Sequence, residues 1–336
     1  MKKFYLISLF ISFFLAFFTK LKTQDVHYSQ FFNSCLLENP SNTGLFTGNW
    51  RFSNIYRNQW RTISIPFKTI YISFDKNFYI YSENFSFGLT VIDDKSGHLN
   101  LKNNKIFLSF SYHKNINYYN LHFGLQGGFV FKQFSQNNIT FPSQFDMSIG
   151  KFNSNLPNNE NSFNFNINYP TLNFGFGIER KTNFFNNYLG FSLFNLNSPN
   201  ESFLNNNNKL PIKINLQLST TLKTKYLNIT PHIYKSSIRK MNNIIVGIKF
   251  DKYTKSTTFK EISFGLFNRN DYQTSNDALI LFFSVNIKNL YLGFSYDINI
   301  SELSKISNYY GAIEISLIFI SKSLIPNKIT IPCEII

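Results

Sequence analysis

The chain has 336 residues, enough for one large domain or two average ones, and a formal charge of +15. Charged residues make up only 15% and aromatics 18%, unlike a typical cytosolic enzyme, and a mean hydropathy of -0.16 excludes a bundle of apolar helices. The 33 Lys and Arg residues are scattered through polar turns without a basic stripe, which argues against a nucleic-acid partner and points instead to biased Asn, Lys, Ile and Phe usage.

A targeting segment opens the chain. Lys2 and Lys3 precede an apolar run from Phe4 to Phe18, the pattern of a secretory signal. The run is short for a spanning helix, and Thr19-Lys20-Leu21-Lys22-Thr23 is a poor cleavage region, so an uncleaved anchor stays open beside a cleaved signal. No cysteine directly follows the run, which disfavours a lipoprotein. Next comes a polar stretch to Trp60 that carries Tyr28, Phe31, Phe32, Trp50 and Trp60. Two readings stand for it. Its aromatics form an interfacial girdle, or it plugs or underlies a barrel and offers a surface to partners. Arg57, Asn58, Gln59 and Trp60 are placed at the start of a first loop, where a polar and aromatic cluster suits protein contact. Together with His27, Tyr28, Gln30, Asn39 and Pro40 they form the expected partner-binding set.

No later segment reaches the length of a transmembrane helix. What recurs is period-two alternation. Leu121, Phe123, Leu125, Phe129 and Phe131 alternate with His122, Gly124, Gln126 and Gly128. Ile212, Ile214, Leu216 and Leu218 alternate with Lys213, Asn215, Gln217 and Ser219. Such runs predict about fourteen strands, near 49–56, 69–75, 85–92, 104–114, 121–134, 170–179, 188–195, 212–222, 227–235, 243–251, 259–268, 277–287, 290–297 and 311–320. Connections after odd-numbered strands are mostly longer, as in the Asn/Ser-rich stretch 135–169. Those after even-numbered strands tend to be short, as at Lys223-Thr224-Lys225 and Lys288-Asn289. A soluble β-sandwich also alternates, but it has no reason to segregate its loop lengths. The expectation is therefore an all-β fold, a transmembrane outer-membrane β-barrel over 49–320. A periplasmic pre-barrel segment, 24–48, precedes it and a tail, 321–336, follows, with both termini periplasmic.

Covalent chemistry finds little support. The histidines are His27, His98, His113, His122 and His232, with His98 in an expected loop. His122 faces the lumen by parity, but no Ser and Asp fall beside it at the right depth, so it reads as a polar lumen residue. Glu179, Asp297 and Glu314 share the lumen parity. As a trio they would gate a pore or bind a cation; paired with inward Lys or Arg they would fill the interior. No His/Cys cluster has ligand spacing, so no metal and no cofactor is expected. Gly124, Gly127 and Gly128 lie inside a strand, where they suit close packing or a bulge rather than phosphate binding. Cys35 and Cys333 are far apart in sequence, yet barrel closure would set both on the periplasmic side near the seam. A disulfide there is one expectation, subject to a Cα separation below about 7 Å. Alkylation of both thiols without reduction would remove it.

Between Gln24 and Asp75 the chain reads QDVHYSQFF, then ENPSNTG, then YRNQWRTISIPFKTIYISFD. These pieces resemble the mature start of the PorP/SprF family of type IX secretion outer-membrane proteins. That pattern runs QD-x-HYSQ, NP-x-x-x-G, YRNQW, P-[FY]-KT and a first SFD strand. YLGFSLFNLNSPNESF (Tyr188 to Phe203), LPIKINLQLS, FSYDINISELSKISNYYGAIEISLIF (Phe294 to Phe319) and the final IPCE extend the resemblance over nearly the whole mature chain. Val26 and Ser41 depart from a favoured Pro and Ala. Asn308, Tyr309, Tyr310 and Gly311 replace a turn that often carries Arg, which puts any contact of that Arg in doubt. The resemblance implies signal cleavage near Thr23-Gln24, so that 1–23 is the signal peptide. It also implies a non-enzymatic component of the type IX secretion and gliding machinery of Bacteroidota. Its partners would be ring, motor or translocon proteins, secreted cargo or an adhesin, and outer-membrane lipid. Family members often keep only the C-terminal cysteine, which implies another role for Cys333. A passive porin-like diffusion channel is the alternative, and an outer-membrane hydrolase using His122 is a weaker one.

Overall fold

The computed structural model describes residues 27–322 apart from 63–64, 82, 98–100, 135–141, 154, 158–164, 204–205, 240, 257, 272–274 and 303. The signal segment, His98 and Cys333 lie outside the described residues. Fourteen antiparallel strands close into one barrel. They are β1 (Trp50–Gln59), β2 (Phe67–Ile80), β3 (Glu83–Ser96), β4 (Leu101–Ile116), β5 (Tyr119–Gln133), β8 (Asn166–Lys181), β9 (Phe185–Phe194), β10 (Lys213–Lys223), β11 (Leu227–Ile238), β12 (Met241–Tyr253), β13 (Phe259–Asp271), β14 (Ser275–Ile287), β15 (Leu290–Asn299) and β16 (Tyr310–Ile320). Two short strands, β6 (Phe145–Asp146) and β7 (Lys151–Phe152), form a separate hairpin inside the longest connection. Two-residue strands carry too little alternation to be read from sequence.

Every expected run falls on a barrel strand, because each strand has one apolar and one polar side. In β2, Ile70, Ile72 and Phe74 point outward, while Tyr71, Ser73 and Asp75 point into the lumen. Each outward Ile or Phe that meets lipid instead of water contributes roughly 1.5–3 kcal/mol. The lumen side can stay polar because its groups find partners inside. Closure removes the edges: β1 pairs with β16 from Arg51↔Ile320 to Gln59↔Ala312.

Several strands outrun their alternation. The pattern predicts 69–75, whereas β2 continues to Ile80, paired with Glu83. Ladder hydrogen bonds persist past the point where one side faces lipid and the other the lumen, so the chain stays extended after the pattern fades.

The two mouths differ. The near mouth holds the start of β1, the end of β16 and the connections 81–82, 117–118, 182–184, 224–226, 254–258 and 288–289. The far mouth holds the longer connections 60–66, 134–165, 195–212 and 300–309, together with the short ones 97–100, 239–240 and 272–274. Trp50 packs its ring 5.8 Å from Phe74 and 5.2 Å from Phe319 on the outer wall, an aromatic belt at the near mouth.

The lumen is occupied by the chain itself. Residues 27–48 run through it, with a one-turn helix, α1 (Cys35–Glu38), and a 3-10 turn, Pro40–Asn42. Asn39 caps that turn by accepting from the Ser41 N–H at 3.0 Å. The segment descends. Ser29 meets Asp297 near the far end of β15, and Gly44 meets Asp75 close to the near mouth. Plugging thus holds for Tyr28 and Phe31, which are inside the lumen, and the girdle for Trp50, which belongs to the outer belt.

Candidate functional site

The plugged lumen is the most elaborate polar structure among the described residues. At its upper end the plug backbone is gripped by a carboxylate. The Ser29 and Gln30 N–H groups donate to Glu314 Oε1 and Oε2 at 2.7 and 2.9 Å. Glu314 also receives Arg57, directly opposite it across the β1–β16 seam. Asp297 accepts from the Ser29 hydroxyl at 2.8 Å and from Arg269 Nη1 at 2.9 Å, and it lies 3.4 Å from Arg57. Arg269 reaches on to Asp277 at 2.6 Å. Arg57, Arg269, Asp297 and Glu314 are all buried, and their charges cancel. An unpaired charge there would cost several kcal/mol, so each arginine needs its carboxylate.

A second charged clamp holds the lower end. Arg51 donates to both oxygens of Asp75, at 3.0 and 2.8 Å, and to the Asn42 carbonyl at 3.3 Å. Asp75 in turn accepts from the Gly44 N–H at 2.7 Å. Cys35 sits beside this clamp, its thiol donating to the Phe32 carbonyl at 2.9 Å. Among the described residues it makes no disulfide.

Between the clamps most contacts are neutral, although the buried Glu38 carboxylate accepts from the Ser34 hydroxyl at 3.3 Å and from the Tyr234 hydroxyl. Ser192 and Asn215 donate to the Glu38 carbonyl at 2.7 and 3.1 Å. Gln126 donates to the Leu36 carbonyl at 3.0 Å, and Ser111 to the Pro40 carbonyl at 2.8 Å. Here the plug lies on glycines. A Cβ on Gly124 would sit 2.3 Å from the Pro40 carbonyl carbon, and one on Gly175 2.1 Å from the Asn39 side-chain oxygen. Only glycine permits this approach. The alternating glycines of β5 and β8 thus have a specific role, as the seat of the Asn39–Ser41 turn.

His113 and His122 form a pair on that wall, with their Nδ1 atoms 2.8 Å apart. His113 Nε2 lies 2.9 Å from the Thr43 carbonyl, which can only accept. This assigns the His113 proton to Nε2 and makes His122 Nδ1 the donor within the pair. Glu179 lies 3.9 Å from His122 and 2.8 Å from Lys181. The three lumen carboxylates do not form one trio: Asp297 and Glu314 share the upper clamp, and Glu179 belongs to the histidine wall. His232 is part of an aromatic layer instead, where Phe31 stacks on Tyr234 at 5.0 Å and Phe32 on Phe267 at 5.6 Å. A second apolar layer gathers Tyr28, Ile55, Tyr71, Ile92, Phe107, Val130 and Tyr169.

The expected partner-binding set splits. Tyr28, Gln30, Asn39 and Pro40 are buried inside the barrel, and His27 is half-buried at the head of the plug. Arg57 needs a correction: it is an inward residue of β1, and the strand runs on to Gln59, so the first loop begins at Trp60. Gln59 accepts from Arg57 at 3.2 Å, Asn58 lies on the outward side near Tyr56, and Trp60 packs on Phe67 at 5.0 Å. The odd-numbered parity of Arg51, Ser53 and Ile55 carries through to Arg57, a signal that would have placed it in the lumen. Arg269 and Arg51 were absent from the sequence-derived set.

A family model described as type IX secretion system membrane protein PorP/SprF matches residues 20–319. The chain belongs to the PorP/SprF family. No curated protein matches it. Among solved structures, this PorP/SprF protein is similar to the TodX monoaromatic hydrocarbon channel deltaS2 mutant, at 10% identity and a TM-score of 0.50, over 85% of this chain and 93% of that one. It also matches the CymD monoaromatic hydrocarbon channel, at 8% identity and a TM-score of 0.47, over 85% and 91%. A Pseudomonas aeruginosa FadL homologue follows, at 9% and 0.46, over 85% and 94%. The TodX likeness shows the fold alone. Family and fold together make this PorP/SprF chain an outer-membrane β-barrel of the type IX secretion system.

Proposed function

We propose that this barrel is a sealed, non-enzymatic docking component of the type IX secretion and gliding machinery. Its near mouth faces the periplasmic ring, motor or translocon, and its far loops face exported cargo or an adhesin. The observation that carries the reading is the occupied lumen: residues 28–31 and 36–44 are buried inside the barrel and bonded to its wall at both ends. A passive diffusion channel needs an open lumen, so the alternative loses its main support. Work is then left to the outer surfaces and the two mouths. The near rim has short connections throughout and the far rim carries all the long loops, which supports the orientation, since outer-membrane barrels keep short turns in the periplasm.

The test is affinity purification of the tagged chain from mildly solubilised outer membranes, paired with conductance in planar bilayers. Ring, motor or translocon subunits in the eluate with a flat current trace are the expected result. A lone barrel with stepwise currents would replace docking with diffusion.

A further inference from the structure

Four consecutive turns of the near mouth each display an aromatic side chain. Tyr81 is 96% exposed, Tyr118 77%, Phe184 77% and Tyr226 62%. They follow one another around the rim, in the connections β2–β3, β4–β5, β8–β9 and β10–β11. Burial in the barrel does not explain them.

Turn chemistry does not explain Tyr81 either. It occupies the first position of a two-residue hairpin turn, closed by the Ile80↔Glu83 pair, with φ of 53°. The same position in three other two-residue turns is held by Asn117, Arg239 and Lys288. Asn adopts this left-handed conformation readily, whereas a bulky aromatic there is an outlier that stores strain. Asn would serve this turn with less strain, so the turn itself gives no reason for a ring at this position.

An anchoring role in lipid fits the belt better than these tips. Trp50 marks the near belt and pairs with Lys76. The outward rings of Phe78, Phe85 and Tyr112 continue that aromatic wall toward the rim, and Tyr81 lies three positions past Phe78, about 7 Å further along a tilted strand, at the turn itself. Cations accompany the rings. Arg180 lies 5.6 Å over Tyr119, next to the Tyr118 tip, and Lys225 lies 5.2 Å over Tyr226. Over residues 76–85, 112–119, 179–188 and 220–228 the chain has six Lys or Arg against two carboxylates. Exposed tyrosine and arginine on rigid hairpins have the composition of interface hot spots.

We infer that the tips Tyr81, Tyr118, Phe184 and Tyr226 form a docking surface for a periplasmic protein of the secretion machinery, one whose face offers apolar pockets edged by Asp and Glu. The inference rests on the docking reading above and on its orientation. The excess positive charge selects an acidic partner, and the spacing of the tips along one arc selects a broad face over a single peptide.

The experiment places the photo-crosslinker p-benzoylphenylalanine at 81, 118, 184 and 226, and, in parallel, at Phe152 on the far side, in the full-length tagged chain in cells. Adducts from near-mouth positions to one type IX subunit, mapped beside its Asp or Glu residues, are expected. Tyr81→Asn is predicted to assemble at least as well as the parent, by heat-modifiable mobility, and to cut recovery of that subunit at least tenfold when combined with Lys223→Glu and Lys225→Glu. Near-mouth adducts to phospholipid alone overturn the inference, as does unchanged recovery from the triple variant. Machinery adducts only at Phe152 overturn it while leaving the docking reading in place. No machinery adduct at either mouth defeats both.

Discussion

The plug meets two kinds of wall. Along β1, β13, β15 and β16 it is held by buried charge: Ser29 and Gln30 on Glu314, Ser29 on Asp297, and Arg57 and Arg269 closing the cluster. Along β4, β5, β8 and β9 it is held by neutral hydrogen bonds and by the absence of side chains at Gly124 and Gly175. Charge fixes position at a cost in desolvation, so that wall tolerates one register of the plug and no other. The glycine wall fixes distance, because it accepts a backbone at contact and nothing larger. Position and distance together specify one seated state.

Removing the whole segment Tyr28–Gly44 should have the largest effect. Planar-bilayer recordings of that deletion should show ion currents that the intact chain lacks; currents of equal size from both would mean that the plug does not seal. Next in size is Glu314→Ala. It strands Arg57 and two plug N–H groups, and should cost about 3–5 kcal/mol, read as a lower urea midpoint for barrel unfolding. Gly124→Val tests the other wall by driving a side chain into the Pro40 carbonyl. Its expected cost is about 1–3 kcal/mol, with the plug partly displaced and its amides exchanging faster with deuterium. If Gly124→Val proves costlier than Glu314→Ala, the charged wall is not the principal anchor. Smallest is Asn39→Ala, which removes the cap on Ser41 and a 3.2 Å bond to the Phe176 carbonyl, for about 1 kcal/mol in the same unfolding assay.

Much of this fold was legible because lipid and lumen impose opposite chemistry on alternate residues. Ile214, Leu216 and Leu218 face out and Lys213, Asn215 and Gln217 face in, as their parity demands. The plug was legible only as one of two options. A polar stretch with scattered aromatics obeys no period, and neither Tyr28 nor Trp50 announces by its type which side of the wall it takes. The placement of Arg57 is misread for a related reason: Asn58 is polar on the outward side, where an apolar residue would continue the pattern, so the alternation ends before the strand does. Tertiary pairing with Glu314 continues the strand where the alternation stops. Arg269 carried no local signal, since its partners Asp297 and Asp277 come from other strands and its third, Ser29, from the plug.

The grip of Glu314 on Ser29 joins residues 285 positions apart in the chain. Loops of that length close late, and folding governed by such distant contacts is slow. The first residues of the plug therefore wait for the last strand to be made. A chain that stops short of β16 has nothing to offer Ser29 and Gln30 or to balance Arg57, and it has no partner for β1. The clamp thus works as a completeness check, satisfied only by a polypeptide delivered whole to the membrane.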